Sequence, residues 1–483
     1  MTRHSLRFLA IVALWAFSTA GAQRADTLRV GIGDAVSYVL RASDENKLAI
    51  LNVDAADAAL TVARAPALPQ VRFNGQYQQV LTNARAEIVG TVFGQSFTYA
   101  GTLAATQPLF QGLRLFAATR AATRVKSAVR FDAGETRAQL AVTMQRSYLN
   151  ALYLATIAEL QRRNLALSSE RLRQVEQLAA AGRSSRYDVL RARVDRANIE
   201  PLALQAESDR EIALLDVKRL LDIAAERPLL LTTSLDTNMV RQIVGRAAAD
   251  DAADEVRGAV RSAELTLSAR KDAVRVARAD FFPQVSAFFN WGYLALPTTN
   301  GLPDRIGQTS TVFCAPGSAA GRVCQNNGFF PDRNFGLTVS WAVLDGLRAK
   351  GNVDLATAQR RIAEVTLHQQ REAASIDLAR AHGEFDRARS AYAARSQNAV
   401  EAEEAFQLAT LRFNRGLATQ VEVTDAQIAL LTARSTEARS VYDVYLAAAE
   451  LARVRGRPIP LPTGGTVPVR ANSGLNSSAS FIR

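Results

Sequence analysis

Residues 113–181 read LRLFAATRAATRVKSAVRFDAGETRAQLAVTMQRSYLNALYLATIAELQRRNLALSSERLRQVEQLAAA, and residues 347–415 repeat their character. The two stretches are equal in length (181−113 = 415−347), and neither contains proline. Alanine, leucine and long charged side chains fill both, which suits uninterrupted helix. At 1.5 Å per residue such a helix runs about 100 Å, far beyond an ordinary globular helix. Each opens after a Gly-Leu-Arg step, Gly112-Leu113-Arg114 and Gly346-Leu347-Arg348. Each stops at a glycine, Gly182 and Gly416, where a left-handed C-cap needs no Cβ. The opening glycines and the closing glycines have the same separation (346−112 = 416−182), so two blocks align without a gap. The chain is a tandem duplication built on two very long helices.

Upstream, Met1 to Ala22 has the layout of a secretory signal. Arg3 and Arg7 supply the positive start, Phe8 to Phe17 the apolar core, and Ala20-Gly21-Ala22 a small-residue cleavage site. The apolar run is short for a membrane anchor, the alternative reading. With 48% hydrophobic and 22% charged residues in 483, the composition is that of a large folded protein. Removing the signal's two arginines leaves 58−2 = 56 basic against 46 acidic residues, a net +10. This charge is spread along the chain, with only five lysines, and export removes nucleic acid as a partner. Cys314 and Cys324 share one Gly/Ala/Pro-rich loop. An oxidising compartment favours a local disulfide between them, with a metal pair as the alternative although no histidine is near.

Between signal and first long helix, Asp34 to Arg41 and Glu45 to Arg64 carry helical periodicity. The period then changes from 3.6 to 2. In Val71 to Gln79, Val71, Phe73, Gly75 and Tyr77 alternate with Arg72, Asn74, Gln76 and Gln78; Phe97 to Ala105 alternates likewise. These are strands with one apolar and one polar face. The second copy follows the same order. A helix over 247–279 leads into Phe282-Pro283-Gln284-Val285, matching Leu68-Pro69-Gln70-Val71, and two strands follow, through Val285 to Tyr293 and Phe335 to Val343. Return helices run past each closing glycine, the first carrying Pro201, where a kink is expected.

The chain accordingly divides into a signal peptide (1–22), N-terminal helices (23–68), a β-hairpin (69–107), a long helical hairpin (108–221, tip near 182–187) and a connector (222–246). The second copy supplies a helix (247–282), a β-hairpin (283–343) with a long loop (294–334) and a helical hairpin (344–455, tip near 416–421), before a polar tail (456–483).

Four short strands with an apolar face, in a chain without a membrane helix, behave like pieces of a transmembrane barrel. Backbone polar groups in lipid must all be paired, so four strands cannot sit there as an open sheet. Two chains would give eight strands and a side-chain-filled barrel; three would give twelve and a lumen. Trp291, Tyr293, Phe97, Tyr99 and Trp341 fall near strand ends, as interfacial girdles do. The alternative is the edge of a soluble β-sandwich packed on helices.

In this order, twice, the motifs resemble the TolC-type outer-membrane efflux proteins (outer membrane factors). The residues carrying the resemblance are the Leu-Pro-Gln-Val and Phe-Pro-Gln-Val strand starts and the step Gln107-Pro108-Leu109-Phe110-Gln111-Gly112. The turns from Gly182 to Leu190 and Gly416 to Val423 complete it. The resemblance implies a mainly α fold with a small β part. Its tandem-repeat protomer would assemble as a homotrimer, with a twelve-stranded outer-membrane β-barrel continuous with a long periplasmic α-helical barrel. It implies outer-membrane lipid, a periplasmic adaptor (membrane fusion) protein and an inner-membrane pump of RND, ABC or MFS type as partners. It implies no cofactor. By the same resemblance Glu422 and Asp425 occupy the pore constriction, and Asp188 and Phe413 the closure between hairpins. Gly182, Arg183, Gly416, Leu417 and Thr419 would form adaptor-docking tips. Phe413 stands where the family carries tyrosine and Ala418 where it carries arginine, so the closed state is expected to be held differently or less tightly; Arg183 stands where leucine is usual and, with Arg186, marks either a particular adaptor or a solvated tip.

An exported enzyme finds no support: the mature chain has two histidines, His368 and His382, and lacks His-Glu-x-x-His, Gly-x-Ser-x-Gly and paired-cysteine metal spacings. A periplasmic coiled-coil scaffold or adaptor without a channel explains the helices but not the four strands.

Overall fold

A computed structural model of the protein describes residues 27–82, 97–234, 240–245, 257–297, 302 and 329–456. The signal peptide, Cys314, Cys324, most of the long loop of the second β-hairpin and the polar tail lie outside the described residues. In order the chain forms β1 (Leu28–Val30), α1 (Ile32–Ala42), α2 (Asp44–Arg64), β2 (Gln70–Gln79), β3 (Phe97–Gln111), α3 (Arg114–Ala180) and α4 (Arg186–Leu220). There follow β4 (Leu229–Leu231), α5 (Gly258–Arg278), β5 (Gln284–Ala295), β6 (Phe330–Ser340), α6 (Arg348–Asn414) and α7 (Gln420–Val454). The two long helices each have 67 residues, and α4 continues through Pro201. Two compact units result: one of Met1–Lys47, Thr136–Glu255 and Asp377–Arg483, the other of Leu48–Glu135 and Val256–Ile376.

The second unit holds a four-stranded antiparallel sheet in the order β2-β3-β5-β6. Directly opposed residues of an antiparallel pair share a face, so the register sorts the side chains. One face carries the rows Val71–Ala105–Phe289–Phe335 and Phe73–Leu103–Trp291–Arg333. The other carries Arg72–Ala104–Asn290–Asn334 and Asn74–Thr102–Gly292–Asp332. Tyr77 and Tyr99 stack with ring centroids 5.1 Å apart, Trp291 meets Tyr293 edge-on at 5.7 Å, and the Arg333 guanidinium covers Trp291. On the polar face Asn290 donates to Asn334 Oδ1 at 2.8 Å.

Strand β3 runs to Gln111, well past the alternating stretch, with a register shift between Pro108 and Phe110 that accommodates the proline. Strand β6 begins at Phe330, inside the expected loop, and ends at Ser340. There the Trp341 indole N–H donates to the Phe281 carbonyl at 3.2 Å and leaves the ladder. Each strand-to-helix step is left-handed at two successive residues, Gly112 and Leu113 (φ 58° and 63°) and Gly346 and Leu347 (φ 67° and 69°). A left-handed leucine is uncommon, and its recurrence at equivalent positions marks a required turn. A Cβ on Gly112 would lie 2.9 Å from Phe282 Cβ and 3.0 Å from the Ala279 carbonyl, whereas Gly346 faces open space.

Within the same unit α5 is held to the start of α3 by Asp272, whose fully buried carboxylate meets Arg124 at 2.6 Å, Arg275 at 2.7 Å and Arg120 at 3.5 Å. Three guanidiniums around one buried acid compensate its desolvation.

The first unit is organised by Tyr148 of α3, which is wholly buried. Its hydroxyl donates to the Val30 carbonyl at 2.7 Å and accepts from Thr233 N at 3.3 Å, while Thr233 Oγ1 accepts from Ile32 N at 3.0 Å. These bonds pin a two-stranded parallel sheet, β1 against β4, over a core that includes Val39, Met144, Val217 and Val444. Burial raises the Tyr148 phenol above its ordinary pKa, which keeps it a donor.

Candidate functional site at the hairpin tips

The turns after α3 and α6 are built alike. Gly182 and Gly416 take left-handed conformations (φ 71° and 75°). In the first turn Arg183 N donates back to Leu178 O at 2.8 Å and Gly182 N to Ala179 O at 3.0 Å. In the second, Leu417 N donates to Arg412 O and Gly416 N to Phe413 O, both at 2.9 Å. This paired pattern satisfies the carbonyls a helix leaves open at its C-terminus.

The return helices begin on capping boxes. Ser185 Oγ accepts from Asp188 N at 3.2 Å and Asp188 Oδ2 accepts from Ser185 N at 2.9 Å. Thr419 Oγ1 accepts from Glu422 N at 3.4 Å and Glu422 Oε1 accepts from Thr419 N at 3.2 Å. Asp188 and Glu422 keep the spacing of the closing glycines (422−188 = 416−182) and do the same work in the two copies. The Ser185 hydroxyl, then its N–H and the Ser184 hydroxyl, hold the Asp188 carboxyl below its ordinary pKa.

Glu422 also meets Arg412 at 3.5 Å, with both side chains about half exposed, a pairing worth little in free energy. Asp425 is exposed and makes no hydrogen bond or ion pair among the described residues. The hydrogen bonds of the Asp188 side chain go to its own turn and none reaches the second hairpin. Phe413 is half-buried. The exposed face of the first tip carries Arg183, Arg186, Tyr187 and Leu190, and that of the second carries Leu417 and Thr419.

Side-chain hydrogen bonds join the hairpins: Gln427 of α7 donates to Asn164 Oδ1 of α3 at 2.5 Å, and Arg171 of α3 donates to Thr424 Oγ1 of α7 at 3.0 Å. Sequence reasoning missed both, since polar residues inside long amphipathic helices carry no local sign of their partner.

A duplicated strand-pair and helical-hairpin chain, with one apolar and one polar sheet face and two capped tips, has the build of an outer-membrane channel protein. The chain belongs to the outer membrane efflux protein family, whose model matches residues 46–222 and 251–457. It is therefore an outer-membrane channel protein with a large periplasmic helical portion, in a family of channels rather than enzymes. Its fold is similar to that of VceC from Vibrio cholerae, with a TM-score of 0.69 at 17% identity over 89% of this chain and 97% of that one. The outer membrane channel CmeC of Campylobacter jejuni gives 0.70 at 15% identity over 88% and 85% of the two chains. The open state of MtrE from Neisseria gonorrhoeae gives 0.68 at 18% over 90% and 91%. No curated protein matches the chain in sequence.

Proposed function

We propose that three copies of the chain close a twelve-stranded barrel in the outer membrane, continuous with a helical tunnel in the periplasm. This duct passively conducts substrates that an inner-membrane pump of RND, ABC or MFS type delivers through a periplasmic adaptor. It serves a tripartite efflux system or type I secretion. The observation that carries the reading is the sheet: β2 and β6 have no outer partner strand among the described residues, and the apolar face stands open, with Phe335 85% exposed. Unpaired strand edges are untenable in lipid. Twelve strands would pair every edge, put the Phe73 and Phe335 rows against lipid, and leave the Asn74 and Asn290 rows along a lumen.

Glu422 and Asp425 would converge at the tip, six carboxylates in a trimer, favouring cations at the aperture. Asp188 and Phe413 would contribute to closure between hairpins. Gly182, Arg183, Gly416, Leu417 and Thr419 would meet the adaptor.

The test is single-channel conductance of the purified protein in a planar bilayer, beside the Glu422→Ala/Asp425→Ala variant. A small, cation-selective conductance that loses its selectivity in the variant supports duct and gate together. A folded, inserted protein that never conducts overturns the duct and favours a scaffold. A channel indifferent to the substitutions keeps the duct and removes the gate.

A further inference from the structure

Helices α3, α4 and α7 line a half-open cavity of about 360 Å³ beside the links that join the hairpins, in the size range of small-molecule sites. Two charged side chains line it, Arg171 and Asp195. The guanidinium donates to the neutral Thr424 hydroxyl and to no carboxylate. Asp195 makes no hydrogen bond or ion pair among the described residues, so the two opposite charges share one cavity without meeting. Burial lowers the Arg171 pKa, with Asp195 acting in the opposite sense. A guanidinium has five donors in a planar fork, and a single bond to a hydroxyl leaves most of that fork unused. Next to the charges the wall is aliphatic, formed by Ile199, Leu202, Ile428 and Leu431.

We propose that this cavity is a binding site for a small amphiphilic carboxylate bearing an adjacent N–H donor, the chemistry of an acylated amino acid. The carboxylate takes the Arg171 fork, the strongest pairing available to it. The N–H donates to Asp195, and the apolar body lies on the four aliphatic side chains. Such a ligand touches all three helices at once, so its occupancy holds α7 on the α3–α4 hairpin. Only this consequence for gating rests on the duct reading; the binding does not.

The probe is N-acetyl-leucine, titrated against the full-length protein by ligand-observed NMR, with the neutral N-acetyl-leucinamide in parallel. Saturable binding is expected, about tenfold weaker for the amide and for Arg171→Gln, with Arg171→Lys in between because it keeps the charge and loses the fork. No saturation at about 10 mM, or equal binding of acid and amide to the unsubstituted protein, overturns the site. In a bilayer, N-acetyl-leucine is expected to reduce the open fraction of the channel. Binding without any channel leaves the site standing and removes the duct; a channel without binding does the reverse.

Discussion

Gln427 of α7 donates to Asn164 of α3 across 2.5 Å, and the Gln427 side chain is only 7% exposed. The two residues lie far apart in the chain, so the bond reports tertiary packing alone. Asn164→Ala leaves a buried amide without its partner, at about 1–3 kcal/mol. The expected result is a larger resting conductance in Asn164→Ala and in Gln427→Ala, with the double variant little worse than either single one. Unchanged single-channel records in both would show that closure does not run through this pair.

The two strand-to-helix steps are conformationally equivalent but packed differently, which separates backbone strain from steric clash. Gly346→Ala meets only the left-handed strain, about 1–2 kcal/mol. Gly112→Ala meets that strain and the Phe282 and Ala279 contacts as well. Thermal unfolding of the two variants is expected to rank Gly112→Ala clearly below Gly346→Ala; equal melting would discredit the close approach at Gly112.

Neighbouring residues on β6 give opposite expectations. Phe335→Arg places a cation on the apolar face, which the proposed barrel would turn to lipid at a cost of up to about 2–4 kcal/mol, and is expected to lower the yield of assembled protein in the outer-membrane fraction. Asn334→Arg sits on the polar face and is expected to keep the yield and change conductance. Equal losses from both would contradict the assignment of faces.

The first tip is expected to be acid-sensitive. The Asp188 carboxyl is held below its unfolded value of about 3.9 by Ser185. Its contribution is therefore complete above that value and disappears as pH falls through the lower folded pKa. Titrating the Asp188 carboxyl carbon by NMR is expected to give a midpoint below about 3.9, and Ser185→Ala to raise it. A midpoint unmoved by that substitution would mean the cap does not set it.

Local chemistry makes much of this legible. The long helices announce themselves by composition and by the absence of proline, and the strands by alternation. The duplication follows from the equal spacing of the opening and closing glycines. The tip boxes are also in view as Ser185-x-x-Asp188 and Thr419-x-x-Glu422, but resemblance points to Glu422 as a pore acid, whereas the geometry first makes it a helix cap. What stays hidden depends on distant partners. Leu28–Val30 is a three-residue strand whose mate is Leu229–Leu231, beyond the whole first helical hairpin. Asp272 looks like any surface acid until three arginines are seen around it. Arg171 and Asp195 acquire a common meaning only when α3, α4 and α7 bring them to one cavity.

The pairing of β3 with β5 also bears on how the protein is made. Tyr99 opposes Ala295, and the whole first helical hairpin is synthesised in between. The first β-hairpin is therefore made well before the strand that covers its inner edge, and it waits for a distant segment before it can register. Non-local pairing of this kind is slow and exposes the chain to aggregation. How long that edge stays open during synthesis is thus set by the order of strands along the chain.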